Sequence, residues 1–383
     1  MKIIKKFNTF LESKNDLYDI IPQSIKDISI LFKNNDKELY LVGGAVRDFL
    51  NNESPKDFDL CTNATPDEIL NIVGNKYKTT EHGKSFGVIV IYTNDQPMGI
   101  EVATFREDIY ADKLGITRNP EIKFSTIEKD VLRRDITYNS MFYDLQKRKI
   151  IDLVGGVDDL KNEITRFVGN PDDRIGEDPL RILRVLRFSC RYNFNIDFDT
   201  KKSITQNKNQ LSIISQERIW EEMMKAWKQA KDYTQYLSYF KEFDMWSQVF
   251  PGVKVSDPVN SADFSVVIAS LLRDNPSDYL DKKIVQDFKI DTSLAKKIVF
   301  LVSLRDFDAE KVLDYWKKRQ SSGISDQTIL EWLTKTAVER QDVIKFVDWK
   351  PSVKSEELIN KGFAGKALGG EIRRLEVDNF KGK

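Results

Sequence analysis

LYLVGGAVRDFL, residues 39–50, decides the fold of the first part of this chain. Leu39–Val42 is a short apolar run of the kind that forms a buried strand. Gly43-Gly44 breaks the run, and Ala45–Leu50 begins a helix. Glycines at a strand-to-helix turn let backbone N–H groups approach an anion, and the helix N-terminus adds a positive field. The stretch therefore predicts a phosphate-binding turn, with Arg47 in the first helical turn able to reach the same anion.

Strand and helix signals on both sides extend this stretch into a mixed α/β domain that ends near residue 145. They are, in chain order, a helix around Ser24–Phe32, a strand at Asp57–Cys61, a helix with Thr65 as N-cap and Pro66 as first residue, and a hairpin of Gly87–Tyr92 and Gly99–Phe105 around a turn at 94–97. The predicted fold class of this part is an α/β head, a mixed sheet with helices.

Helical periodicity dominates from Pro171 onward, where no confident strand is predicted. The predicted helices are Asp178–Tyr192, Gln216–Ala230, Ser261–Arg273, Ser293–Leu304 and Ile329–Ala337. An all-helical remainder therefore follows the α/β head.

Composition excludes several classes of protein. The 383 residues include 60 basic and 60 acidic side chains, one histidine (His82) and two cysteines (Cys61 and Cys190). So few soft ligands exclude a zinc centre or a histidine-dependent hydrolase, and any metal would need oxygen ligands, as Mg²⁺ prefers. No apolar run reaches the roughly 18 residues of a membrane span, and the start of the chain lacks the apolar core of a secretory signal. The sequence thus predicts a cytoplasmic protein. Its zero net charge excludes general polyanion affinity, although local basic patches can bind RNA.

Asp57 and Asp59 form the most informative pair of side chains. On a strand, residues two apart point to the same face, so the two carboxylates would lie side by side. They repel each other unless a cation lies between them, and this arrangement suits divalent metal binding. An isolated pair of this kind is more often two solvated acids at the end of a strand. The glycine turn and Arg47 just upstream favour the metal-binding interpretation.

Further motifs follow in chain order. They are RRDITYN at 133–139, DLVGG at 152–156 with DL at 159–160, EDPLR at 177–181 with Arg184 and Arg187, ERI at 217–219, and GFAGKALGGEI at 362–372. Together with LVGGAVRD at 41–48 and DFDL at 57–60, this series resembles class II tRNA nucleotidyltransferases, the CCA-adding enzymes, a family that includes bacterial poly(A) polymerases.

The resemblance implies a domain organisation and a reaction. It implies a catalytic nucleotidyltransferase head at 1–145, a nucleotide-selecting neck at 146–215, a helical body at 216–305 and a tRNA-binding helical tail at 306–383. Asp57 and Asp59 would hold Mg²⁺, which activates the tRNA 3′-hydroxyl and stabilises charge on the α-phosphate and on pyrophosphate. Glu101, on the second hairpin strand, is a candidate third carboxylate, although an exposed acid on an alternating strand is an equally good interpretation.

The RRD motif implies contacts with the incoming nucleotide. Arg134 would bind it, and Asp135 would accept hydrogen bonds from ribose hydroxyls. Asn139, four residues on, would share a face with Asp135 if the segment is helical. Without the flanking motifs, a solvated charge cluster would be the preferred interpretation of Arg133-Arg134-Asp135.

The EDPLR motif implies selection of the base. On a helix, Asp178 and Arg181 would share one face and offer acceptors and donors together. Cytosine and adenine each present an amino donor beside a ring acceptor, so one Asp–Arg pair matches both, whereas uracil and guanine present the reverse order. Arg184 and Arg187 continue the same stripe. Alone it would be a solvated basic face; the motif favours contact with triphosphate and RNA.

Three activities share these motifs: full CCA addition, CC- or A-addition alone, and poly(A) synthesis. In the family a flexible loop before the RRD motif is needed to add A, and here 107–126 is long and polar, which favours full CCA addition with CTP, ATP and the tRNA acceptor arm as partners. Poly(A) synthesis is the alternative. An inactive RNA-binding relative would lack a metal carboxylate or the Asp178–Arg181 pair, and both are present. No membrane and no obligate protein partner are predicted.

Overall fold

The computed structural model describes residues 17–109, 121–338 and 340–382. The chain divides into two compact units, Met1–Ile213 and Ile214–Lys383. The four-part division expected from the resemblance remains a prediction.

The first unit combines helices with strands. Its helices are α1 (Leu17–Ile20), α2 (Gln23–Asn34), α3 (Gly44–Leu50), α4 (Pro66–Val73), α5 (Ile127–Leu132), α6 (Gly156–Lys161), α7 (Pro171–Glu177), α8 (Arg181–Tyr192) and α9 (Phe198–Asn207). Its strands are β1 (Leu39–Val42), β2 (Asp59–Thr62), β3 (Lys78–Thr80), β4 (Val88–Tyr92), β5 (Ile100–Thr104), β6 (Arg106–Ile109), β7 (Glu121–Phe124), β8 (Phe142–Asp144), β9 (Lys149–Ile151), β10 (Ile164–Thr165) and β11 (Asn195–Ile196).

A seven-stranded mixed sheet forms the centre of this unit, in the order β3-β4-β5-β2-β1-β8-β9. Only the β2–β5 pair is parallel among its described ladders. The predicted strand at Leu39–Val42, the β4–β5 hairpin and the helix with Thr65 as N-cap and Pro66 as first residue are confirmed. Thr65 and Glu68 also form a capping box, in which each side chain accepts the other's backbone N–H. The predicted α/β head is therefore confirmed.

One strand boundary is wrong and one strand was not predicted. Strand β2 begins at Asp59 rather than Asp57, because its ladder with β1 ends at the Val42–Asp59 pair and Gly43 then leaves the sheet. Strand β11 lies beyond Pro171, where no strand was predicted, and pairs in parallel with β10. Two residues are too few to show alternation in a sequence.

Aromatic and aliphatic side chains pack against one face of the sheet near β1. Tyr40, Val42, Cys61, Phe105 and Phe142 are buried in one cluster. The rings of Phe105 and Phe142 meet edge to face with centroids 6.2 Å apart. This packing holds β1, β2 and β8 together on the face that Asp59 shares with Cys61.

A separate two-stranded ribbon, β6–β7, follows the hairpin. The structure thus gives antiparallel strands at both ends of the segment that the sequence predicted to be a loop; residues 110–120 lie outside the described residues. Gly87, at φ +77°, makes room for the ribbon, because a Cβ there would lie 3.0 Å from the ring of Phe124.

The described residues of the second unit form helices. They are α10 (Gln216–Gln229), α11 (Tyr233–Glu242), α12 (Trp246–Val249), α13 (Phe264–Leu272), α14 (Ser277–Gln286), α15 (Thr292–Ser303), α16 (Val312–Ser322), α17 (Asp326–Lys335), α18 (Gln341–Asp348), α19 (Ser355–Asn360) and α20 (Gly365–Lys381). Trp220 and Trp227 of α10 pack on Phe264 of α13 with ring centroids 5.6 and 4.8 Å away, so these aromatic rings hold the two helices together. Among the described residues, no helix has the length and apolarity needed to cross a membrane.

Candidate active site

The glycine turn links β1 to α3 as predicted. Gly43 has φ +71° and ψ −123°, a conformation that strains any residue with a side chain. Its backbone N–H bonds to the Met141 carbonyl at 3.4 Å. Gly44 begins α3, and a Cβ there would lie 3.5 Å from Nη2 of Arg47. The turn therefore lies in contact with the guanidinium group of Arg47.

Two carboxylates meet at the adjoining ends of β2 and β5. These strands are parallel, with Leu60 opposite Val102, so Asp59 and Glu101 each stand one residue before that pair. Leu60 and Val102 are fully buried, whereas Asp59 and Glu101 are exposed. Because residues two apart on a strand share a face, both acids lie on the face that carries Cys61, opposite to Leu60 and Val102.

The environment of Asp59 opposes its ionisation. The protein packed around its carboxylate limits hydration, and the negative charges of Glu101 and Asp57 add to this effect, so that its pKa rises to about 6. Arg134 acts in the opposite direction. Asp57, Asp59 and Glu101 thus form one electrostatically coupled acidic cluster that a cation would stabilise.

The acidic cluster suits a hard divalent ion. Within residues 17–109, 121–338 and 340–382, no group of three or more His, Cys, Asp or Glu side chains is arranged to hold a metal ion by itself. Mg²⁺ is commonly held by one or two carboxylates, with water and substrate phosphates completing its coordination. Asp59 and Glu101 are the neighbouring carboxylates that fit this pattern. Asp57 precedes β2, so the expectation that it shares a strand face with Asp59 is wrong, and it joins the cluster through its charge.

Arg134 lies beside this cluster. Its Nε and Nη2 atoms bond to Oδ2 of Asp130 at 3.0 and 2.8 Å, and its guanidinium lies 5.0 Å from the centre of the Phe142 ring. Its positive charge therefore stays next to Asp59.

Asp135 pairs with Arg184 across the unit. Nε of Arg184 bonds to Oδ2 of Asp135 at 2.6 Å, and the Ile136 N–H bonds to Oδ1 at 2.9 Å. Burial alone would raise the pKa of Asp135, but the Arg184 charge and hydrogen bond outweigh burial and lower the pKa below its usual value. The structure thus joins the RRD motif to α8.

Asn139 contacts Arg47 rather than sharing a helix with Asp135. Residues Thr137–Asn139 form a single 3₁₀ turn, and Ile136 is extended because it bridges to Phe167. The conditional expectation of one helical face is therefore wrong. Nη1 of Arg47 donates to Oδ1 of Asn139 instead.

Arg47 is buried, with 4% of its surface exposed. Its Nε and Nη2 bond to Oδ1 of Asp48 at 2.8 and 2.6 Å, and the rings of Phe188 and Tyr192 lie 5.6 and 5.0 Å from its guanidinium carbon. Arg47 is therefore held in a buried ion pair with Asp48 beneath the glycine turn, and it does not reach out to an anion as the sequence predicted.

Asp178 and Arg181 do not lie on one helix. Asp178 is extended (φ −153°, ψ 100°) between α7 and α8, and Arg181 is the first residue of α8. The predicted helix Asp178–Tyr192 is wrong at its start because Pro179 disfavours helical backbone at the preceding residue. The two residues remain three apart at one helix junction.

Arg181 is held by protein groups on several sides. It is 8% exposed, and its Nη1 donates to Glu177 and, at 3.0 Å, to the Arg174 carbonyl. Its Nη2 donates to the Arg133 carbonyl at 2.9 Å. These contacts fix the plane of the guanidinium and tie it to the RRD motif.

The arginine stripe of α8 is not a solvated face. Arg187 is 4% exposed, and its guanidinium carbon lies 4.2 Å from the centre of the Phe188 ring. Arg184 is partly buried through its pair with Asp135. The alternative of a solvated basic stripe is therefore wrong for Arg181 and Arg187.

Two protein-family profiles match the chain. One, described as "Poly A polymerase head domain", matches residues 39–166, and the other, "Probable RNA and SrmB- binding site of polymerase A", matches residues 193–256. The CCA-adding enzyme of Lactobacillus helveticus is 32% identical over 322 residues, which cover 81% of this chain and 68% of that protein. The chain belongs to the CCA-adding enzyme and poly(A) polymerase family.

Other relatives carry both names of the family. The poly(A) polymerase I of Salmonella typhimurium is 35% identical over 246 residues, which are 60% of this chain and 52% of that protein; the match thus spans about half of that relative's length. Solved CCA-adding enzymes share the fold. The Bacillus stearothermophilus enzyme in complex with CTP has a TM-score of 0.68 at 22% identity, covering 94% of this chain and 93% of that one.

The DLVGG motif at 152–156 packs tightly against the RRD motif. Oδ1 and Oδ2 of Asp152 accept the N–H groups of Gly156 and Val157 at 3.0 and 2.9 Å, which starts α6. A Cβ at Gly156 would overlap the Thr137 carbonyl oxygen and lie 2.8 Å from its carbon. Glycine is thus required where α6 passes the RRD segment.

Gly156→Ala will therefore destabilise the protein, by about 1–3 kcal/mol as is usual for overpacking. Thermal unfolding followed by circular dichroism will show a lower midpoint. Gly369→Ala, inside helix α20 with nothing within 4 Å of the added Cβ, is the matched control and will leave the midpoint equal or higher. An unchanged midpoint for Gly156→Ala would contradict the close approach.

Sequence reasoning missed Asp130 and Asp48. Asp130 precedes Arg133 and Arg134 by three and four residues, the spacing at which helical side chains pair, so the spacing alone could have indicated it. Asp48 adjoins Arg47 but also accepts the Tyr192 hydroxyl at 3.1 Å from 144 residues away, and no local pattern predicts that contact.

Proposed function

We propose that this protein adds CCA to tRNA 3′ ends without a nucleic-acid template, from CTP and ATP, by Mg²⁺-dependent nucleotidyl transfer that releases pyrophosphate. The observation that carries the proposal is the acidic cluster of Asp57, Asp59 and Glu101 beside Arg134 at the glycine-turn end of the sheet. A tRNA substrate favours the cytoplasm, as does a chain with two cysteines, Cys61 and Cys190, that are both buried.

The residues divide the work between metal binding and nucleotide binding. Asp57 and Asp59 would hold Mg²⁺, with Glu101 as a third carboxylate; the ion, when bound, polarises the α-phosphate and lowers the pKa of the attacking hydroxyl. Arg134 and the Gly43-Gly44 turn, beneath which Arg47 is buried, would bind the triphosphate. One carboxylate oxygen of Asp135 would accept a hydrogen bond from a ribose hydroxyl, while Arg184 bonds to the other oxygen.

Base selection is assigned to the junction between α7 and α8. Asp178 would accept the amino group of cytosine or adenine, and Arg181 would donate to the adjacent ring nitrogen. The contacts of Arg181 with Glu177 and with two backbone carbonyls preorganise this donor. Arg187 would contribute positive charge further along α8, and Asn139 would hold Arg47. We place these functions in a head (1–145) and a neck (146–215), with the helical body and tail holding the tRNA acceptor arm.

Poly(A) synthesis is the second candidate, supported by the 35% identity to the Salmonella poly(A) polymerase I. CCA addition ranks first because the match to the Lactobacillus CCA-adding enzyme extends over 81% of this chain, against 60% for the poly(A) polymerase. Addition of CC or of A alone is a narrower variant of the first candidate.

Product length separates these activities. A tRNA transcript that lacks its 3′ CCA is incubated with CTP alone, ATP alone and both, and the products are sequenced. We expect a stop after two C residues with CTP alone and a single terminal A with both nucleotides. A long A tail would identify a poly(A) polymerase instead, and no extension under any condition would refute both candidates.

A further inference from the structure

Asp130 is a buried carboxylate at the centre of a network that joins three parts of the candidate site. It lies on α5 and is 1% exposed. Its Oδ1 accepts Nε of Arg133 at 2.9 Å and the backbone N–H of Arg106 at 3.2 Å. Its Oδ2 accepts Nε and Nη2 of Arg134 at 3.0 and 2.8 Å. One carboxylate thus engages both arginines of the RRD motif.

In this network, neighbouring acidic side chains rather than solvent compensate the charges of the arginines. The side chains of Arg133 and Arg134 are 21% and 16% exposed, so each is largely desolvated. Asp108 adds a second acid, 3.9 Å from Nη1 of Arg133 and 3.0 Å from Nε of Arg106. Removing the charge of Asp130 would leave two guanidinium groups close together without their shared partner, and they would move apart.

The network reaches the base-selecting residue through the backbone. The carbonyl of Arg133 accepts Nη2 of Arg181 at 2.9 Å, and the carbonyl of Leu132 accepts Nη1 of Arg174. Since Asp130 holds the side chain of Arg133 from the preceding helical turn, it fixes the end of α5 on which Arg181 rests. The backbone N–H of Arg106, the first residue of β6, donates to Oδ1 of Asp130, so the network also reaches the β6–β7 ribbon.

We infer that Asp130 is a positioning residue for the incoming nucleotide. It acts through Arg134, which it holds beside Asp59, and through the end of α5, which holds Arg181. This inference rests on the proposed function for the identity of the ligand. Asp130 itself reaches neither substrate nor metal, so its loss should weaken nucleotide binding more than it weakens tRNA binding.

The test replaces Asp130 by Asn, which keeps the shape of the side chain and removes its charge. We expect the KM for both CTP and ATP to rise about tenfold while the KM for tRNA stays within twofold, a split that a merely structural defect would not produce. Asp144→Asn is the matched control. Asp144 is also buried, at 3% exposure, and bonds backbone N–H groups of Gln146 and Lys147, away from the acidic cluster.

A double-mutant cycle shows whether Asp130 acts through Arg134. If it does, the rise in nucleotide KM in the double variant Asp130→Asn/Arg134→Gln will be smaller than the product of the rises in the two single variants. Additive effects of the two changes, or an unchanged nucleotide KM in Asp130→Asn, would overturn the inference.

Two further measurements keep the test decisive. If Asp130→Asn does not fold, Asp130→Glu retains the charge but displaces it by one methylene, and a parental nucleotide KM in that variant would overturn the inference. Equilibrium dialysis with CTP and with ATP gives the dissociation constants directly. A parent protein that binds nucleotide but adds no CCA would refute the proposed function alone, since the ratio of variant to parent affinity would still report on Asp130.

Discussion

Replacing Asp57 and Asp59 together by alanine will abolish nucleotide incorporation, with a fall in kcat/KM on the order of 10³-fold or more. The reason is that these carboxylates are the proposed protein ligands of the metal, and phosphoryl transfer depends on electrostatic stabilisation of its transition state. The measurement is transfer of radiolabelled CMP and AMP to a tRNA that lacks its 3′ end, at saturating Mg²⁺. Incorporation equal to that of the parent would refute the metal site.

The acidic cluster also predicts that a substitution that removes activity will stabilise the folded protein. Because the protein packed around its carboxylate, together with Glu101 and Asp57, raises the pKa of Asp59 above its usual value, ionised Asp59 destabilises the folded protein at neutral pH. Asp59→Asn removes that charge and will raise the thermal midpoint in EDTA, where no cation offsets the repulsion. Added Mg²⁺ will stabilise the parent more than the variant.

Asp67→Asn is the matched control for both measurements. Asp67 belongs to the same unit, lies in the first turn of α4 and has 79% of its side chain exposed. Its replacement will leave incorporation unchanged and will not raise the midpoint. A lower midpoint for Asp59→Asn in EDTA would contradict the electrostatic account, because it would mean that the carboxylate itself supports the fold.

The parts of the site that local chemistry determines were predictable from the sequence. A strand followed by two glycines and a helix needs no distant partner, and residues 39–50 adopt that structure. The parallel β2–β5 pair, by contrast, brings Glu101 beside Asp59 from 42 positions along the chain. Sequence spacing left Glu101 as an even choice, and only the sheet order decides that the two carboxylates are neighbours.

Two errors had different physical origins. The extended backbone of Asp178 follows from Pro179, a local signal that was present in the sequence and outweighed by the helical periodicity that follows it. The extended backbone of Ile136 follows from its bridge to Phe167, a contact over 31 positions that no local pattern reports. Burial of Arg47 belongs to the second kind, since aromatic rings from α8 cover it.

Relaxed base selection is the second large effect expected, and Asp178→Ala is the variant that isolates it. Asp178 lies in the short extended link before α8. Its replacement by alanine therefore removes a side chain without interrupting a helical turn. Without its acceptor, the amino groups of cytosine and adenine lose their partner, and uracil and guanine no longer face a mismatched charge. We expect kcat/KM for CTP and ATP to fall about 100-fold and discrimination against UTP and GTP to fall at least tenfold.

Arg181→Ala should relax selection in the same way but also weaken the fold. Its removal leaves the partly buried Glu177 without this partner and withdraws a donor from the Arg133 and Arg174 carbonyls. Breaking such a buried pair typically costs about 3 kcal/mol or more, so the thermal midpoint will fall. Asp178→Ala, by comparison, removes one acceptor from the Leu180 N–H and will lower the midpoint less.

Sequencing of products made from an equimolar mixture of the four ribonucleotides measures this selection directly. Asp173→Ala, which removes an exposed acid from the first turn of α7, is the control and will retain parental products. If Asp178→Ala still incorporates only C and A, the extended link does not read the base. Selection would then rest on the preorganised guanidinium of Arg181, and only the Arg181→Ala variant would incorporate U and G.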